Sequence, residues 1–333
     1  MLRVGIIGCG GMGRDHIRRL TEKIQGAEVV AVSDVFEESA KKAAEICGAK
    51  VYTDSRELIN AEDVDAVFIV SPGFAHVDSL LQAIEAGKRI FCEKPLCTTA
   101  EDCLKVVKAE EAAGKHLIQL GFMRRYDKGY QQIKEALATG EYGEPLILHC
   151  THRNPEVGTN YTPMAVHDTA IHEIDVLHWL VDDEYESAQV VMPRVTKYSH
   201  SELKDPQIMM LRTKKGVCID VEVFVNCKFG YDINCEVVCE DGALKMAQPA
   251  YPSIRKNAAV SSAIDTDCFV RFKDAYDKEV QDWVDNAEAG VITGPNAWDG
   301  YLAAITADAL VKAQETGQIE KIVTAVEKPE FYK

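Results

Sequence analysis

A lysine, an aspartate and a histidine in this chain have the neighbours that proton transfer requires. Lys94 stands in Glu93-Lys94-Pro95, directly after the apolar run Arg89-Ile90-Phe91-Cys92. That is a strand's carboxyl end, where ligands of open α/β sheets bind, and the following proline restricts the backbone. Lysines are mostly exposed, so position alone leaves a solvent lysine as the plainer reading. In Asp168-Thr169-Ala170-Ile171-His172-Glu173-Ile174-Asp175, the spacing sets Asp168, His172 and Asp175 on one helical face. Ile171, Ile174 and Leu177 fall on another stripe that can pack into a core. A histidine with a carboxylate one turn away is oriented and suits a general base; a solvated Asp–His pair is the alternative. His172-Glu173 begins like a zinc-protease motif, but Val176 stands where the second histidine is needed.

Two further clusters are rich in hydrogen-bond donors: His149-x-x-His152-Arg153-Asn154 and Met123-Arg124-Arg125-Tyr126-Asp127, both read as loops at the ends of apolar runs. Such loops suit a substrate with many hydroxyls, or they bond only to their own backbone.

The cofactor signal is at the start of the chain. Gly8, Gly10 and Gly13 in Gly8-Cys9-Gly10-Gly11-Met12-Gly13 follow a short apolar run and open an amphipathic helix. In that setting the first glycine permits a tight turn, the second lets a pyrophosphate approach, and the third lets helix and strand pack closely. The helix N-terminus offers free N–H groups and a positive dipole end. Asp34 ends the next apolar run, at the distance of about 20 residues expected of a ribose-binding carboxylate.

These residues need a scaffold, and the pattern supplies one. Apolar runs at 2–7, 28–33, 65–70, 89–92 and 116–120 alternate with helical stretches such as Glu37 to Cys47, His76 to Ala86 and Thr99 to Ala113. This is the signature of a doubly wound parallel sheet, so the fold class is α/β with an N-terminal Rossmann domain. Beyond residue 121 the pattern changes. Helices are expected over Tyr126 to Leu137 and Asp168 to Leu180. Strands are expected at Ala188 to Met192, Gln207 to Arg212, Val217 to Val225 and Tyr231 to Glu240, and helices at 268–288 and 297–315. The expected division is 1–121 for the dinucleotide-binding domain and 122–333 for an α+β domain built on a large, mostly antiparallel sheet. That second domain would bind substrate and form oligomer contacts, its last helices free to pack back on the first.

Composition narrows the function classes. The chain has 333 residues and a net charge of −16, which repels the phosphates of nucleic acids and anionic membranes. No apolar run is long enough to span a bilayer, and the chain begins on a strand instead of a signal peptide. The eleven cysteines show no disulfide framework. Cys9, Cys92, Cys150 and Cys218 are expected to act as small core hydrophobes, and the compartment to be the cytoplasm. No metal site is expected, since Cys235-x-x-x-Cys239 has no second ligand pair.

Taken together, Phe91-Cys92-Glu93-Lys94-Pro95-Leu96, Gly121-Phe122-Met123-Arg124-Arg125-Tyr126-Asp127, His152-Arg153-Asn154-Pro155, His172-Glu173-Ile174-Asp175-Val176-Leu177-His178-Trp179-Leu180 and Trp298-Asp299-Gly300-Tyr301 resemble the glucose-fructose oxidoreductase/inositol dehydrogenase family over nearly the whole chain. The resemblance implies oxidation of myo-inositol to 2-keto-myo-inositol with NAD, by a homotetramer. It implies a catalytic group of Lys94, Asp168 and His172, with His172 taking the hydroxyl proton, Asp168 orienting it and Lys94 polarising the oxygen. It also implies cofactor contacts from Gly8, Gly10, Gly11, Met12, Gly13, Asp34, Ser71, His76, Glu93 and Lys94. Polyol contacts would come from Lys94, Met123, Arg124, His152, Asn154, Asp168, His172, Asp175 and Tyr231. Departures from the family pattern are a segment one residue shorter around Asn160-Tyr161-Thr162-Pro163-Met164, His167 beside Asp168, and Pro72 in the cofactor loop; they bear on the preferred isomer. Other readings are a dehydrogenase of another inositol isomer or a pyranose, a glycosidase that retains NAD, and a non-catalytic dinucleotide sensor.

Overall fold

The five apolar runs in the first part of the chain become parallel strands, β1 (Leu2–Ile7), β2 (Ala27–Ser33), β4 (Ala66–Ile69), β5 (Arg89–Glu93) and β6 (Ile118–Gly121), and the short Lys50-Val51-Tyr52 adds a sixth, β3 (Lys50–Tyr52). They lie in the order β3-β2-β1-β4-β5-β6 in the computed structural model, which describes residues 1–156, 158, 161–287 and 289–333. Between them run α1 (Gly11–Glu22), α2 (Glu37–Cys47), α3 (Ser55–Ile59), α4 (His76–Glu85) and α5 (Ala100–Ala113). This is the doubly wound order, whose direction reverses between β1 and β4 and leaves a ligand crevice there. Local chemistry sets the helix ends. Thr99 accepts from the Asp102 N–H at the start of α5, and Asp54 accepts from Arg56 at the start of α3. Gly48 and Gly114 close α2 and α5 in the left-handed conformation.

The chain divides into two compact units. The first comprises Met1–Met123, Tyr276–Ala304 and Thr324–Lys333; the second comprises Arg124–Ala275 and Ile305–Val323. In the first unit, Val4, Ile6, Val32, Phe68 and Phe91 share one apolar cluster with Ile17 and Leu20 of α1. The later helix α9 (Lys273–Ala287) completes that cluster with Val280, Trp283, Val284 and Ala287. Near the chain's end, the Tyr332 hydroxyl donates to Glu110 Oε2 at 2.6 Å, while Glu110 Oε1 accepts from the N–H groups of Leu117 and Ile118.

In the second unit the strands are β7 (Pro145–Arg153), β8 (Tyr185–Val191), β9 (Gln207–Thr213), β10 (Cys218–Phe224), β11 (Asp232–Cys239), β12 (Ala243–Lys245), a small exposed hairpin of β13 (Ile254–Lys256) and β14 (Ala259–Ser261), and β15 (Glu320–Lys321). Seven of them form one sheet in the order β12-β11-β7-β10-β9-β8-β15, in which only β7 and β10 run parallel. One parity of β7, β9, β10 and β11 is buried, including Leu148, Cys150, Val221, Ile233 and Cys235. The other forms cross-strand rows such as Glu236–His149–Asp220–Met210 and Asp232–Arg153–Phe224. The helices α6 (Lys128–Ala138), α7 (Ile171–Val181), α8 (Cys268–Arg271) and α10 (Ala297–Thr316) complete the list of longer elements. A π-helical stretch, Ala165–Ala170, leads directly into α7.

Several expectations shift. The helix expected at 268–288 is two, α8 and α9, and Glu288 lies outside the described residues, as does Asn160 of the shortened segment. Cys218, expected in the core, is exposed because β10 presents that parity outward. The helix expected from Asp168 begins three residues earlier, as the wider π-helical turn.

Candidate active site

In the first unit, the turn from β1 to α1 is shaped by two glycines and left open by two others. Gly8 has φ +100°, and a Cβ on it would lie 2.5 Å from the Ser71 backbone nitrogen; a Cβ on Gly13 would lie 2.0 Å from the Gly8 carbonyl oxygen. No side chain fits either place. At Gly10 and Gly11, by contrast, a Cβ would meet nothing within 4 Å, so bare backbone faces open space at the N-terminus of α1. Asp34, just past β2, accepts from the Cys9 N–H at 2.8 Å and the Phe36 N–H at 2.9 Å, which holds its half-buried carboxylate beside the loop. The Ser71 hydroxyl oxygen, past β4, is buried with no hydrogen-bond partner among the described residues. An open cradle, a fixed carboxylate and an orphaned hydroxyl are what a dinucleotide would engage, and the site fits one.

Lys94 follows β5 and is half-buried; its peptide bond to Pro95 is cis. Its backbone N–H donates to Glu93 Oε2 at 3.1 Å. His76, at the start of α4, places Nδ1 2.8 Å from the Pro95 carbonyl and Nε2 2.7 Å from the Ser71 carbonyl. Burial lowers its pKa and favours the neutral ring. Met12 lies in the first turn of α1, and Met123 is buried in a 3-10 turn, Met123–Tyr126.

In the second unit the expected residues are spread over the π-helical stretch, α7, β7 and the turns that flank the strands. Asp168 lies in the π-helical stretch and is exposed; His172 follows in α7 and is buried. Such stretches are frequent at functional sites. Ile171, Ile174 and Leu177 are buried, as their stripe implies. So are Glu173 and Asp175, two acids in an otherwise apolar helix, and each is answered by an arginine. Arg125 grips Asp175 through Nε at 2.9 Å and Nη2 at 2.5 Å. Arg124 pairs with Glu173, and His152 Nδ1 lies 2.8 Å from Glu173 Oε2 and 3.0 Å from Arg124 Nη2. Arg124, Glu173 and His152 form one buried network. Tyr231, beside β11, sets its ring edge-on to His152 at 5.7 Å, and burial pushes its hydroxyl pKa up to about 12.

The cluster read as a loop at His149–Asn154 is mostly strand. Because residues alternate along β7, His152 faces inward while His149 and Arg153 face outward. His149 meets Asp220 at 2.5 Å, and Arg153 bridges Glu222 and Asp232. Only Asn154, just past the strand end, stays in a loop, its N–H donating to Phe224 O and its carbonyl accepting from Cys227 N. The other expected loop is a 3-10 turn whose Asp127 caps α6 and is held by Arg271. Glu173, which joins Arg124 to His152, was missed by sequence reasoning. Its one signal is an acid inside an apolar helix. Among the described residues no three metal-binding side chains come together, and no helix is long and apolar enough to cross a membrane.

Comparison with known proteins agrees with this architecture. Residues 2–122 match the model of an oxidoreductase family with an NAD-binding Rossmann fold, and residues 134–323 match that family's C-terminal alpha/beta domain. The chain belongs to this family and is an NAD-dependent oxidoreductase. It is 52% identical over 334 residues to an inositol 2-dehydrogenase of Pseudomonas syringae pv. syringae, covering 99% of each chain. It is also 52% identical over 335 residues to an inositol 2-dehydrogenase/D-chiro-inositol 3-dehydrogenase of Halalkalibacterium halodurans, covering 99% of this chain and 96% of that one. Among solved structures, it resembles a myo-inositol dehydrogenase of Lactobacillus casei in complex with NAD(H) and myo-inositol, with TM-score 0.97, 44% identity and full coverage of both chains.

Proposed function

We propose that this chain oxidises myo-inositol to 2-keto-myo-inositol. The observation that carries the reading is its full-length likeness, at 44% identity, to a dehydrogenase crystallised with NAD(H) and myo-inositol. Bound NAD supplies the hydride acceptor. The chain's own residues handle the proton and the oxygen. Neutral His172 accepts the hydroxyl proton as the carbonyl forms, Asp168 orients the imidazole, and the Lys94 ammonium stabilises charge growing on the substrate oxygen. Gly8, Gly10, Gly11, Met12, Gly13, Asp34, Ser71, His76 and Glu93 hold or flank the cofactor. Met123, Arg124, His152, Asn154, Asp175 and Tyr231 shape the polyol site, with Arg124, His152 and Asp175 fixed by their ion pairs and hydrogen bonds.

A second reading, a dehydrogenase that also takes D-chiro-inositol, is favoured by the relative from Halalkalibacterium halodurans, whose name carries both activities. The deciding experiment follows NADH formation across inositol isomers, common aldoses and an aryl glycoside. Myo-inositol should give the highest kcat/KM. A preference for D-chiro-inositol would move the assignment to the second reading, and release of aglycone without net NADH would move it to a glycosidase. Eleven thiols without a disulfide fit a reducing compartment, and we place the enzyme in the cytoplasm.

A further inference from the structure

Beyond the residues assigned to chemistry, the first unit holds a fully buried histidine on α1 with no role in the reading above. His16 packs its ring against Phe68 and Phe91, with centroids 5.4 and 5.5 Å away, and against Tyr276 at 6.4 Å. An imidazole in such a setting is expensive unless it is satisfied. Its Nε2 lies 2.7 Å from Glu93 Oε1, while its Nδ1 has no hydrogen-bond partner among the described residues. The polar partner that accounts for the ring is therefore the Glu93 carboxylate. The same carboxylate accepts the backbone N–H of Lys94 through its other oxygen, at 3.1 Å.

The surroundings leave that carboxylate little freedom. Glu93 is itself buried, and it lies against Gly121 at the end of β6, where an added Cβ would come 3.0 Å from Glu93 Cδ. On the far side of Lys94, the Pro95 carbonyl meets the buried ring of His76 at 2.8 Å. Both neighbours of Lys94 are thus tied to buried imidazoles, one from α1 and one from α4. A lysine on a backbone held this way starts each turnover from one place, and catalytic rates fall steeply when a reacting group is misplaced.

We propose that His16 is a positioning residue for Lys94, acting through Glu93: the imidazole fixes the carboxylate, and the carboxylate fixes the Lys94 backbone. The inference rests on the reading that Lys94 is catalytic.

The test is a double-mutant cycle in kcat with myo-inositol and NAD, with NAD affinity read by fluorescence quenching. Lys94→Ala comes first. Wild-type kcat in that variant overturns the reading of Lys94 itself, independently of His16. With Lys94→Ala impaired, His16→Leu should lower kcat by about 10- to 10²-fold while NAD affinity stays within about twofold. His16→Gln, whose amide N–H can still face Glu93, should recover most of that loss. In the Lys94→Ala background, His16→Leu should cost nothing further, because the two act as a unit. Wild-type kcat in His16→Leu, or a loss that multiplies in full onto that of Lys94→Ala, overturns the positioning role. Should His16→Leu not fold, His16→Asn, whose shorter amide falls short of the Glu93 carboxylate that Nε2 reaches, takes its place in the cycle, with the same two outcomes.

Discussion

His172 is a buried imidazole on a helix that also carries two buried acids, and the proposed chemistry asks it to accept a proton. Losing one positioned acid–base group costs about 10²–10⁴-fold. His172→Ala should lose kcat in that range, with NAD binding near wild type by fluorescence quenching. Wild-type kcat in His172→Ala would shift the base to another residue. At the cofactor end, Asp34 already accepts two backbone N–H groups, which fixes a negative charge beside the open glycine loop. That charge favours ribose hydroxyls and repels a 2′-phosphate. NAD should therefore be preferred over NADP, and Asp34→Ala should narrow the ratio of kcat/KM values. Equal wild-type efficiency with both cofactors would remove Asp34 from the ribose.

Helix α7 shows what an element adds to its residues. Its Glu173 joins Arg124 and His152 in a fully buried network, so removing the charge leaves an arginine without its counter-ion. Breaking such a pair from one side costs about 3–5 kcal/mol. Glu173→Gln should lower the thermal unfolding midpoint markedly, and an unchanged midpoint would show that the network is relaxed by water. Nothing in the sequence around Glu173 announces this role. Its partners stand 49 and 21 residues away, and a buried acid takes its meaning from the groups the fold brings to it. The glycine loop and Asp34 stand out in the sequence for the opposite reason, because local strand–turn–helix spacing marks them, whereas Lys94 does not, since its position alone leaves a solvent lysine as the plainer reading. The β3 strand does not stand out either, since Lys50-Val51-Tyr52 is too short to show a period. The cluster on β7 was misread because its histidines and arginine masked the alternation that points His152 inward and Arg153 outward. The π-helical turn at Ala165–Ala170 was equally hidden, as its residues are ordinary helix formers.

At the scale of the whole molecule, the outward face of the seven-stranded sheet carries rows of apolar and paired charged side chains, among them Ile147 beside Cys218 and Arg153 between Glu222 and Asp232. We propose that this face packs against other copies in a homotetramer. Sedimentation should report four chains per particle, and a stable monomer at micromolar concentration would refute the assembly. The first unit raises a different matter. Its apolar cluster is shared by β1, β2 and β4 with Val280, Trp283 and Val284, so the segments that finish it are separated by more than a hundred residues of the second unit. On the ribosome, the dinucleotide-binding sheet emerges early but waits for α9 before its aromatic layer of Phe68, Phe91 and Trp283 can close. Domains that usually mature in order of synthesis here must mature together. A nascent chain stalled after residue 123 should accordingly be protease-sensitive and engage chaperones, and supplying the remainder of the chain should be what releases it.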